Sequence, residues 1–264
     1  MYEGHLKARS GIVIHKQEDW SYMRKAGTLA REVLDYIAPH AVEGVSTLTL
    51  NDLCHNFIVK NNAIPAPLNY GSPPFPKSIC TSVNHVVCHG IPSAEKIIKS
   101  GDIMNIDVTV ILDGYHGDTS RMYAVGKPTI QGARLIDATY DAMMAGIEAV
   151  SPGKTLRDIA IAIEGVVNKY GYSCVRDFCG HGIGKVFHMD PQVMHYNEKT
   201  MDYQDVALEE GMFFTVEPMV NVGTHRTIVS KIDKWTATTR DKKLSAQFEH
   251  TIGVTSCGFE IFTL

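Results

Sequence analysis

The sequence lacks long apolar runs, blocks of basic residues and C-x-x-C pairs. Its longest apolar runs fall well short of the ~20 residues that a membrane helix needs, and its N-terminus, MYEGHLKARSG, has no apolar core of the kind found in signal peptides. A formal net charge of −4 argues against nucleic acid as a partner. The spacing of the six cysteines indicates reduced thiols. We therefore expect a cytoplasmic protein that binds neither membrane nor nucleic acid.

What the chain does have is enough apolar sequence for a sizeable core. It contains 264 residues, of which 44% are hydrophobic. This length fits one large domain or two small ones. Because no linker or shift in composition separates the two halves, we predict a single domain over residues 1–264.

Two helices and a loop are predicted in the first half of the chain. Residues 18–38 repeat apolar side chains at the spacing of one helix face. A second helix begins at about Leu48, with Thr47 or Thr49 as its cap. The proline-rich stretch 65–76 is predicted to be a loop, since each proline fixes φ and removes a hydrogen-bond donor.

The second half repeats this pattern. Residues 132–150 have helical periodicity, and a further helix follows from Thr155. The segments TLNDL, from Thr49, and TLRDI, from Thr155, share the pattern T-L-x-D. This short match favours an internal duplication of a helix, glycine turn, helix and strands.

The segment GDIMNIDVTVILDGYHGDTSR, residues 101–121, places two aspartates on one face of a predicted hairpin. Asp113-Gly114 favours a two-residue turn, so Leu112 pairs with Tyr115. Asp107 and Asp118 are then diagonal neighbours. Their face carries Asn105, Asp107, Thr109, His116, Asp118 and Ser120, and the opposite face carries Met104, Ile106, Val108, Val110 and Leu112.

Two explanations of this hairpin are open. It is either an amphipathic hairpin with its polar side in water, or a site for a cation. Carboxylates about 7–8 Å apart at the backbone repel each other unless a proton or cation lies between them. The short acids on this face favour the second explanation, because solvated strands more often mix lysine, glutamate and threonine.

Two further acids and a histidine extend the candidate site. Glu217 ends the apolar strand MFFTVEP, and Glu249 lies in the predicted strand SAQFEHTIGV. The glycines of CGHGIGKVFH let His181 point inward from a short turn. Each residue alone is more often structural. Together, four carboxylates and one imidazole suit a pair of divalent ions such as Mn, Fe, Co or Zn.

The order of these motifs resembles that of the methionine aminopeptidases. VCHGIP, NIDVTVILDGYHGDTSR, CGHGIGKVFH, TVEP and FEHT lie between about residue 70 and residue 251, in the family's order. No long insertion separates His188 from Glu217, as in type I members. The short N-terminus lacks the zinc-binding extension of eukaryotic cytosolic members, so the chain is similar to a bacterial or organellar enzyme.

The resemblance implies an α+β pita-bread fold, in which two pseudo-symmetric α/β halves surround a central antiparallel sheet. It implies that Asp107 chelates one divalent metal, that His181 and Glu217 hold the other, and that Asp118 and Glu249 bridge both. The family also often binds a monovalent cation through backbone near Asn84, Val86 and Ser245, an expectation that rests on the resemblance alone.

The resemblance also implies catalytic and substrate-binding roles. His89 and His188 contact the scissile amide and the oxyanion, and Glu217 takes a proton from the attacking water. The implied methionine pocket consists of Tyr70, Phe75, Cys80, Phe187 and Trp235, although core packing explains Phe75 and Cys80 equally well. The implied substrates are nascent polypeptides with an N-terminal methionine and a small second residue, met at the ribosome by a monomeric enzyme.

Two departures and two competing functions accompany the resemblance. Met189 stands where glutamate is common, and Asn84-His85 where Asn-Glu is common. An X-Pro aminopeptidase or prolidase shares the five ligands, but only about 85 residues precede VCHGIP, where those enzymes carry a sizeable domain. A noncatalytic binding protein of the same fold is expected to have lost ligands, and this chain keeps all five.

Overall fold

The computed structural model describes residues 6–8 and 10–264. The α-helices in this part of the chain are α1 (Gln17–Ile37), α2 (Thr47–Lys60), α3 (Ile130–Glu148) and α4 (Leu156–Tyr170). The strands in this part are β1 (Leu6–Lys7), β2 (Val13–Ile14), β3 (Ile64–Pro65), β4 (Cys80–Val83), β5 (Val86–Cys88), β6 (Ile103–Leu112), β7 (Tyr115–Ala124), β8 (Ser173–Cys174), β9 (Gly180–Gly182), β10 (Met189–Val193), β11 (Phe213–Val216), β12 (Met219–Asn221), β13 (Thr227–Val229), β14 (Ala237–Thr239), β15 (Ser245–Gln247), β16 (Glu249–Thr255) and β17 (Gly258–Ile261).

A central antiparallel sheet joins the two halves of the chain. Its strand order is β10-β9-β11-β16-β7-β6-β3, with β17 beside β16 and β4 beside β6. Strands β3, β4, β6 and β7 come from the first half, and the others come from the second. The halves meet where β16 pairs with β7, through Glu249 beside Ser120 and His250 beside Thr119. This architecture confirms the predicted α+β pita-bread fold.

Each half has its own hydrophobic core. In the first half, α1 and α2 pack on the apolar face of β6, where Ile106 and Val108 are fully buried. In the second half, α3 packs against β11 and against α4, and side chains of both helices share a core with Phe214 and Ile252. Burying these faces drives the helices onto the sheet. The predicted apolar face of the hairpin is therefore confirmed.

The hairpin register is also as predicted. Leu112 pairs with Tyr115, Thr109 with Asp118 and Asp107 with Ser120. Asp113 and Gly114 have φ values of 51° and 82°, as a turn with two left-handed residues requires. The polar face of the hairpin, however, does not lie in water.

The polar face of the hairpin is covered by the second half of the protein. Asn105, Thr109 and Ser120 are 1–3% exposed. Asn105 donates its side-chain amide to the backbone oxygen of Gln247 at 2.8 Å. The explanation as a solvated amphipathic hairpin is wrong, because long-range packing of the other half removes this face from water.

The predicted helices are present, but one cap and the repeat register differ. Ser46, rather than Thr47 or Thr49, caps α2, and its hydroxyl accepts a hydrogen bond from the Thr49 amide at 3.1 Å. Thr155 caps α4 and forms a capping box with Asp158. Ser46 therefore corresponds to Thr155, and the T-L-x-D match is displaced by three residues. A serine hydroxyl at the position before the helix supplies the same acceptor as threonine.

The predicted strand SAQFEHTIGV is two strands. Its first part is β15, which pairs with β12 in a separate three-stranded sheet, and its second part is β16 in the central sheet. The chain changes sheet at Phe248, which periodicity alone does not reveal. All six cysteines are free. Within the described residues, no helix has the length and apolar character to cross a membrane.

Candidate active site

His181 lies on a short strand rather than in the short turn that the sequence predicted. The two glycines around it let β9 approach its neighbours closely. A Cβ on Gly180 would lie 2.4 Å from the Thr215 oxygen, and one on Gly182 would lie 2.1 Å from the Asp190 oxygen. Close backbone contact on both sides, and not a turn conformation, explains these glycines.

Three of the five predicted ligands meet at the junction of the halves. Asp118, His181 and Glu249 each offer a ligand atom within 4.8 Å of the other two. The Nε2 atom of His181 lies 3.5 Å from Asp118 Oδ2 and 3.6 Å from Glu217 Oε1. Asp107 lies outside this group of three and lines the same cavity. The predicted ligands therefore surround one space.

Strand pairing brings these residues together. Glu249 begins β16, opposite Ser120 of β7, so it lies beside the hairpin face that carries Asp118. Glu217 directly follows β11, whose last residue, Val216, pairs with His250. Glu217 and Glu249 are about thirty residues apart in sequence, but the pairing of β11 with β16 brings them close together.

Neighbouring polar side chains hold the carboxylates in place. Thr109 Oγ1 donates to Asp118 Oδ1 at 2.7 Å, and Thr215 Oγ1 donates to Glu217 Oε1 at 2.8 Å. Gln247 Nε2 donates to Glu217 Oε2 at 3.2 Å. The strand alternation placed Thr109 on this face, but nothing in the sequence assigned it or the other two a role.

The electrostatics of the site favour a bound cation. Burial, with the charge of Asp118 in addition, raises the pKa of Asp107 and of Glu249 well above the usual carboxyl range. Burial raises the pKa of Glu217 to about 7, against the opposing charge of His181. Burial lowers the pKa of His181, but Asp118 and Glu217 outweigh it and raise that pKa.

The donor set fits divalent metal. Among the described residues that line the cavity there is no lysine or arginine to balance the carboxylates. Four carboxylates and one imidazole, largely removed from water, need cations to offset their mutual repulsion. Oxygen and imidazole donors of this kind suit first-row divalent ions.

A cavity of about 650 Å³ opens above the carboxylates. All seven of the predicted substrate-binding residues line it, namely Tyr70, Phe75, Cys80, His89, Phe187, His188 and Trp235. Phe75 and Trp235 pack edge to face with ring centroids 5.3 Å apart, and Tyr70 lies 4.8 Å from Phe187. The aromatic wall and the acidic floor therefore belong to one pocket.

Both predicted catalytic histidines line this pocket, His89 beside Trp235 and His188 beside Phe187. His89 follows β5 with φ of 55°, a left-handed conformation that is uncommon for a non-glycine residue. Burial lowers the pKa of His89 to about 4. Desolvation and the neighbouring His181 lower the pKa of His188 to about 3, and its Nδ1 lies 2.8 Å from the Tyr70 hydroxyl. Both rings are neutral at pH 7.

Several residues of the pocket were not identified from the sequence. The cavity is also lined by Pro67, Cys88, Thr109, Asp177, Phe178, Cys179, Asp190, Gln192, Met219 and Gln247. Cys88 lies inside the motif VCHGIP, and Phe178 and Met219 each lie within two residues of a recognised motif, so that proximity was an available signal. Of the two departures, Met189 lines the cavity, whereas His85 is not among its lining residues.

His195 has no counterpart in the sequence-based predictions. It lies just beyond β10, is 1% exposed, and its Nε2 accepts a hydrogen bond from the Glu217 amide at 3.2 Å. Burial lowers the pKa of His195 to about 3. No motif or periodicity distinguishes it from an ordinary core residue.

Comparison with known proteins places these features in a family. The model of metallopeptidase family M24 matches residues 21–256. Methionine aminopeptidase of Rickettsia prowazekii is 62% identical over 96% of this chain and 95% of its own length, and that of Escherichia coli K12 is 51% identical over 96% and 94%.

Solved structures of related proteins have the same fold as this chain. The crystal structure of the R. prowazekii enzyme superposes with a TM-score of 0.92 and covers 96% of this chain and 100% of its own. Prolidase from Pyrococcus furiosus has the same fold at 22% identity, with a TM-score of 0.74, but only 65% of its chain is covered. The prolidase alternative is therefore not favoured. The chain belongs to metallopeptidase family M24, among its methionine aminopeptidases.

Proposed function

We propose that this protein removes the N-terminal methionine from polypeptides by metal-dependent hydrolysis. The observation that carries the proposal is the meeting of Asp118, His181 and Glu249 at the floor of an aromatic-walled cavity. Acidic ligands and an apolar, sulfur-containing pocket suit hydrolysis beside a methionine side chain. The high identity to methionine aminopeptidases over nearly the whole chain supports it.

The five predicted ligands would hold two divalent ions, drawn from Mn, Fe, Co or Zn. Asp107 would bind one ion, His181 and Glu217 the other, and Asp118 and Glu249 both. When bound, such ions polarise a carbonyl and lower the pKa of water. The crowding of buried carboxylates supports this assignment, because it is unfavourable without positive charge.

Protein groups would supply the proton transfer and the oxyanion contacts. Glu217 would take the proton from the attacking water, since its carboxylate lines the cavity beside the other proposed ligands. His89 and His188 are neutral, so each can donate a ring N–H to developing negative charge. When the Tyr70 hydroxyl donates a hydrogen bond to Nδ1 of His188, the ring hydrogen of the neutral His188 is on Nε2.

The walls of the cavity would select the first residue of the substrate. A flexible thioether packs well on aromatic rings and sulfur, both of which are present in the pocket. Phe187, whose ring centroid lies 4.0 Å from that of His188, joins this wall to the catalytic groups. We propose that the cleft also prefers a small second residue such as glycine, alanine or serine.

The whole chain, residues 1–264, would act as one monomeric catalytic domain in the cytoplasm. A monovalent cation would bind near Asn84, Val86 and Ser245. In support, Asn84 has a φ of 57°, and its backbone oxygen accepts a hydrogen bond from the Ser245 amide at 2.8 Å. The side-chain oxygens of Ser245 and Asn221 are buried without a hydrogen-bond partner among the described residues.

A basic surface beside the cavity supports action at the ribosome. We define the basic hairpin as residues 225–243, which include β13 and β14. It carries six lysines and arginines against two aspartates, in a chain of net charge −4. Trp235 of the same hairpin lines the cavity. A positive surface next to the substrate entrance suits binding to the phosphate-rich surface of the ribosome, from which nascent chains emerge. The net charge of the whole chain does not reveal this local excess of positive charge.

Peptide cleavage tests the proposed activity. The purified protein is incubated with Met-Ala-Ser, Met-Lys-Ser, Leu-Ala-Ser or Ala-Pro-Ser, with Mn or Co or with EDTA, and released amino acids are measured by mass spectrometry. We expect free methionine from Met-Ala-Ser alone, and none with EDTA. Equal rates on Met-Ala-Ser and Met-Lys-Ser would overturn the size preference. Cleavage of Ala-Pro-Ser alone would indicate a prolyl peptidase. Metal binding without cleavage of any of the peptides would indicate a noncatalytic binding protein.

A further inference from the structure

Glu217 lies where the chain passes from one sheet to another. The central-sheet strand β11 ends at Val216, and the next strand, β12, begins at Met219 in a three-stranded sheet. Pro218 has no amide hydrogen to anchor the connection. The backbone position of Glu217 therefore depends on contacts from outside the two ladders.

His195 provides such a contact. Its Nε2 accepts the Glu217 amide hydrogen at 3.2 Å. Because Nε2 is the acceptor, the ring hydrogen of the neutral imidazole is on Nδ1. That Nδ1 is buried without a hydrogen-bond partner among the described residues. A buried N–H group without a hydrogen-bond partner lowers the stability of the folded protein. The presence of His195 at this position therefore indicates a role other than filling the core.

The side chain of Glu217 already has its own partners. Thr215 Oγ1 and Gln247 Nε2 each donate to one carboxylate oxygen. These contacts orient the carboxylate, whereas the His195 contact is to the backbone from which that carboxylate extends. His181 Nε2 lies only 3.6 Å from Glu217 Oε1, so a small backbone shift would change the spacing between two proposed ligands.

We propose that His195 is a positioning residue that accepts the Glu217 amide hydrogen and thereby holds the Glu217 carboxylate at the spacing needed to bind metal beside His181. This rests on the proposed function, in which Glu217 is a ligand. Loss of outer partners of metal ligands typically weakens metal binding or activity by about 10–100-fold. The assignment concerns geometry, since His195 itself contacts neither substrate nor metal.

Two substitutions and a control separate positioning from packing. His195→Leu removes the acceptor at similar volume, and His195→Gln keeps an acceptor at the end of the side chain. Ile163→Val, in the fully buried core of α4, lowers stability without contacting the site. Mn²⁺ affinity of each EDTA-treated protein is measured by calorimetry, thermal unfolding of the metal-free protein by circular dichroism, and kcat on Met-Ala-Ser by mass spectrometry.

We expect His195→Leu to weaken Mn²⁺ binding about 10–100-fold and His195→Gln to recover most of the affinity, with Ile163→Val unchanged despite its lower Tm. Amide hydrogen exchange of Glu217, followed by NMR in the metal-free protein, should be slow in the parent and His195→Gln and fast in His195→Leu.

The proposal is overturned if His195→Leu binds Mn²⁺ as the parent does, or if Glu217 amide exchange is as fast in the parent as in His195→Leu. If His195→Leu does not fold, the test rests on the parent and His195→Gln. We then expect the two proteins to bind Mn²⁺ with equal affinity and to protect the Glu217 amide from exchange. An unprotected Glu217 amide in both proteins would overturn the proposal. A parent that neither binds Mn²⁺ nor cleaves Met-Ala-Ser refutes the proposed function instead.

Discussion

Asp118 and Glu249 face one space from opposite halves of the protein, with ligand oxygens within 4.8 Å of each other. Two reciprocal hydrogen bonds cross this junction. Thr251 Oγ1 donates to the Asp118 backbone oxygen, and Thr119 Oγ1 donates to the Glu249 backbone oxygen, both at 2.7 Å. The spacing of the two acids is thus set by the same contacts that join the halves of the sheet.

Removing either of these acids should abolish metal binding and turnover. Asp118→Asn and Glu249→Ala each delete a negative charge from the proposed bridging positions, so the loss should exceed the ~10–100-fold typical of outer partners. Metal content by mass spectrometry and kcat on Met-Ala-Ser check this. Asp113→Asn, in the exposed turn of the same hairpin, is the control and should retain both. A Glu249→Ala protein fully loaded and active would refute the bridging assignment.

Substitution of His188 should separate metal binding from catalysis. His188→Ala removes a proposed oxyanion donor, and such losses typically lower kcat by about 10²–10³-fold. The metal content should stay that of the parent, because His188 is not a proposed ligand. Tyr70→Phe removes only the hydroxyl 2.8 Å from His188 Nδ1 and should cause a smaller loss. Metal loss in His188→Ala would contradict the assignment.

Metal affinity should rise with pH through the range in which the buried carboxyls lose their protons. Metal must displace the protons that the buried carboxyls hold at low pH, and each proton displaced changes affinity by ~tenfold per pH unit below the pKa of its group. The pKa of Glu217, about 7, lies above its ordinary value of 4.5. Calorimetry at several pH values checks this, and affinity independent of pH would contradict it.

The metal-free protein should show the opposite dependence of stability on pH. Between the unfolded and folded pKa values of Glu217, 4.5 and about 7, the folded state holds the extra proton. Its contribution to stability is therefore present below 4.5 and is lost as the pH rises through 7. Urea unfolding of EDTA-treated protein should show this decrease, and Glu217→Gln, which cannot titrate, should reduce it.

Two glycine substitutions should have effects of opposite sign. Gly182→Ala would place a Cβ 2.1 Å from the Asp190 oxygen, and overpacking of this kind costs about 1–3 kcal/mol or more. Gly165→Ala, within α4, meets nothing within 4 Å and should stabilise the protein by about 0.5–1 kcal/mol. Urea denaturation measures both. A Gly182→Ala protein as stable as the parent would show that the strands are not held this closely.

Charge reversal on the basic hairpin should weaken ribosome binding without affecting peptide cleavage. Lys231→Glu combined with Lys243→Glu should lower the ribosome-bound fraction in co-sedimentation severalfold at low salt and less at high salt. Met-Ala-Ser cleavage should not change. The matched control reverses two exposed lysines elsewhere, Lys60 and Lys169. Equal effects of the two pairs would argue against a specific docking surface.

Local rules accounted for much of the fold. Apolar periodicity located α1 to α4 within a few residues, and Asp113-Gly114 specified the register that puts Asp107 diagonal to Asp118. These features depend on neighbours in the chain, where turn chemistry and side-chain direction operate. The change of sheet at Phe248 was missed because alternation continues through it while the pairing partners change.

The sequence by itself determined which residue types are available for the site and on which face of each strand they lie. Only the tertiary structure decided that the polar hairpin face is buried, that His181 reaches the site from a strand, and that His195 supports Glu217. Those outcomes depend on contacts between residues far apart in the chain. Such contacts form only when apolar side chains from both halves, such as Trp20 and Phe213, are buried together, and no local pattern encodes them.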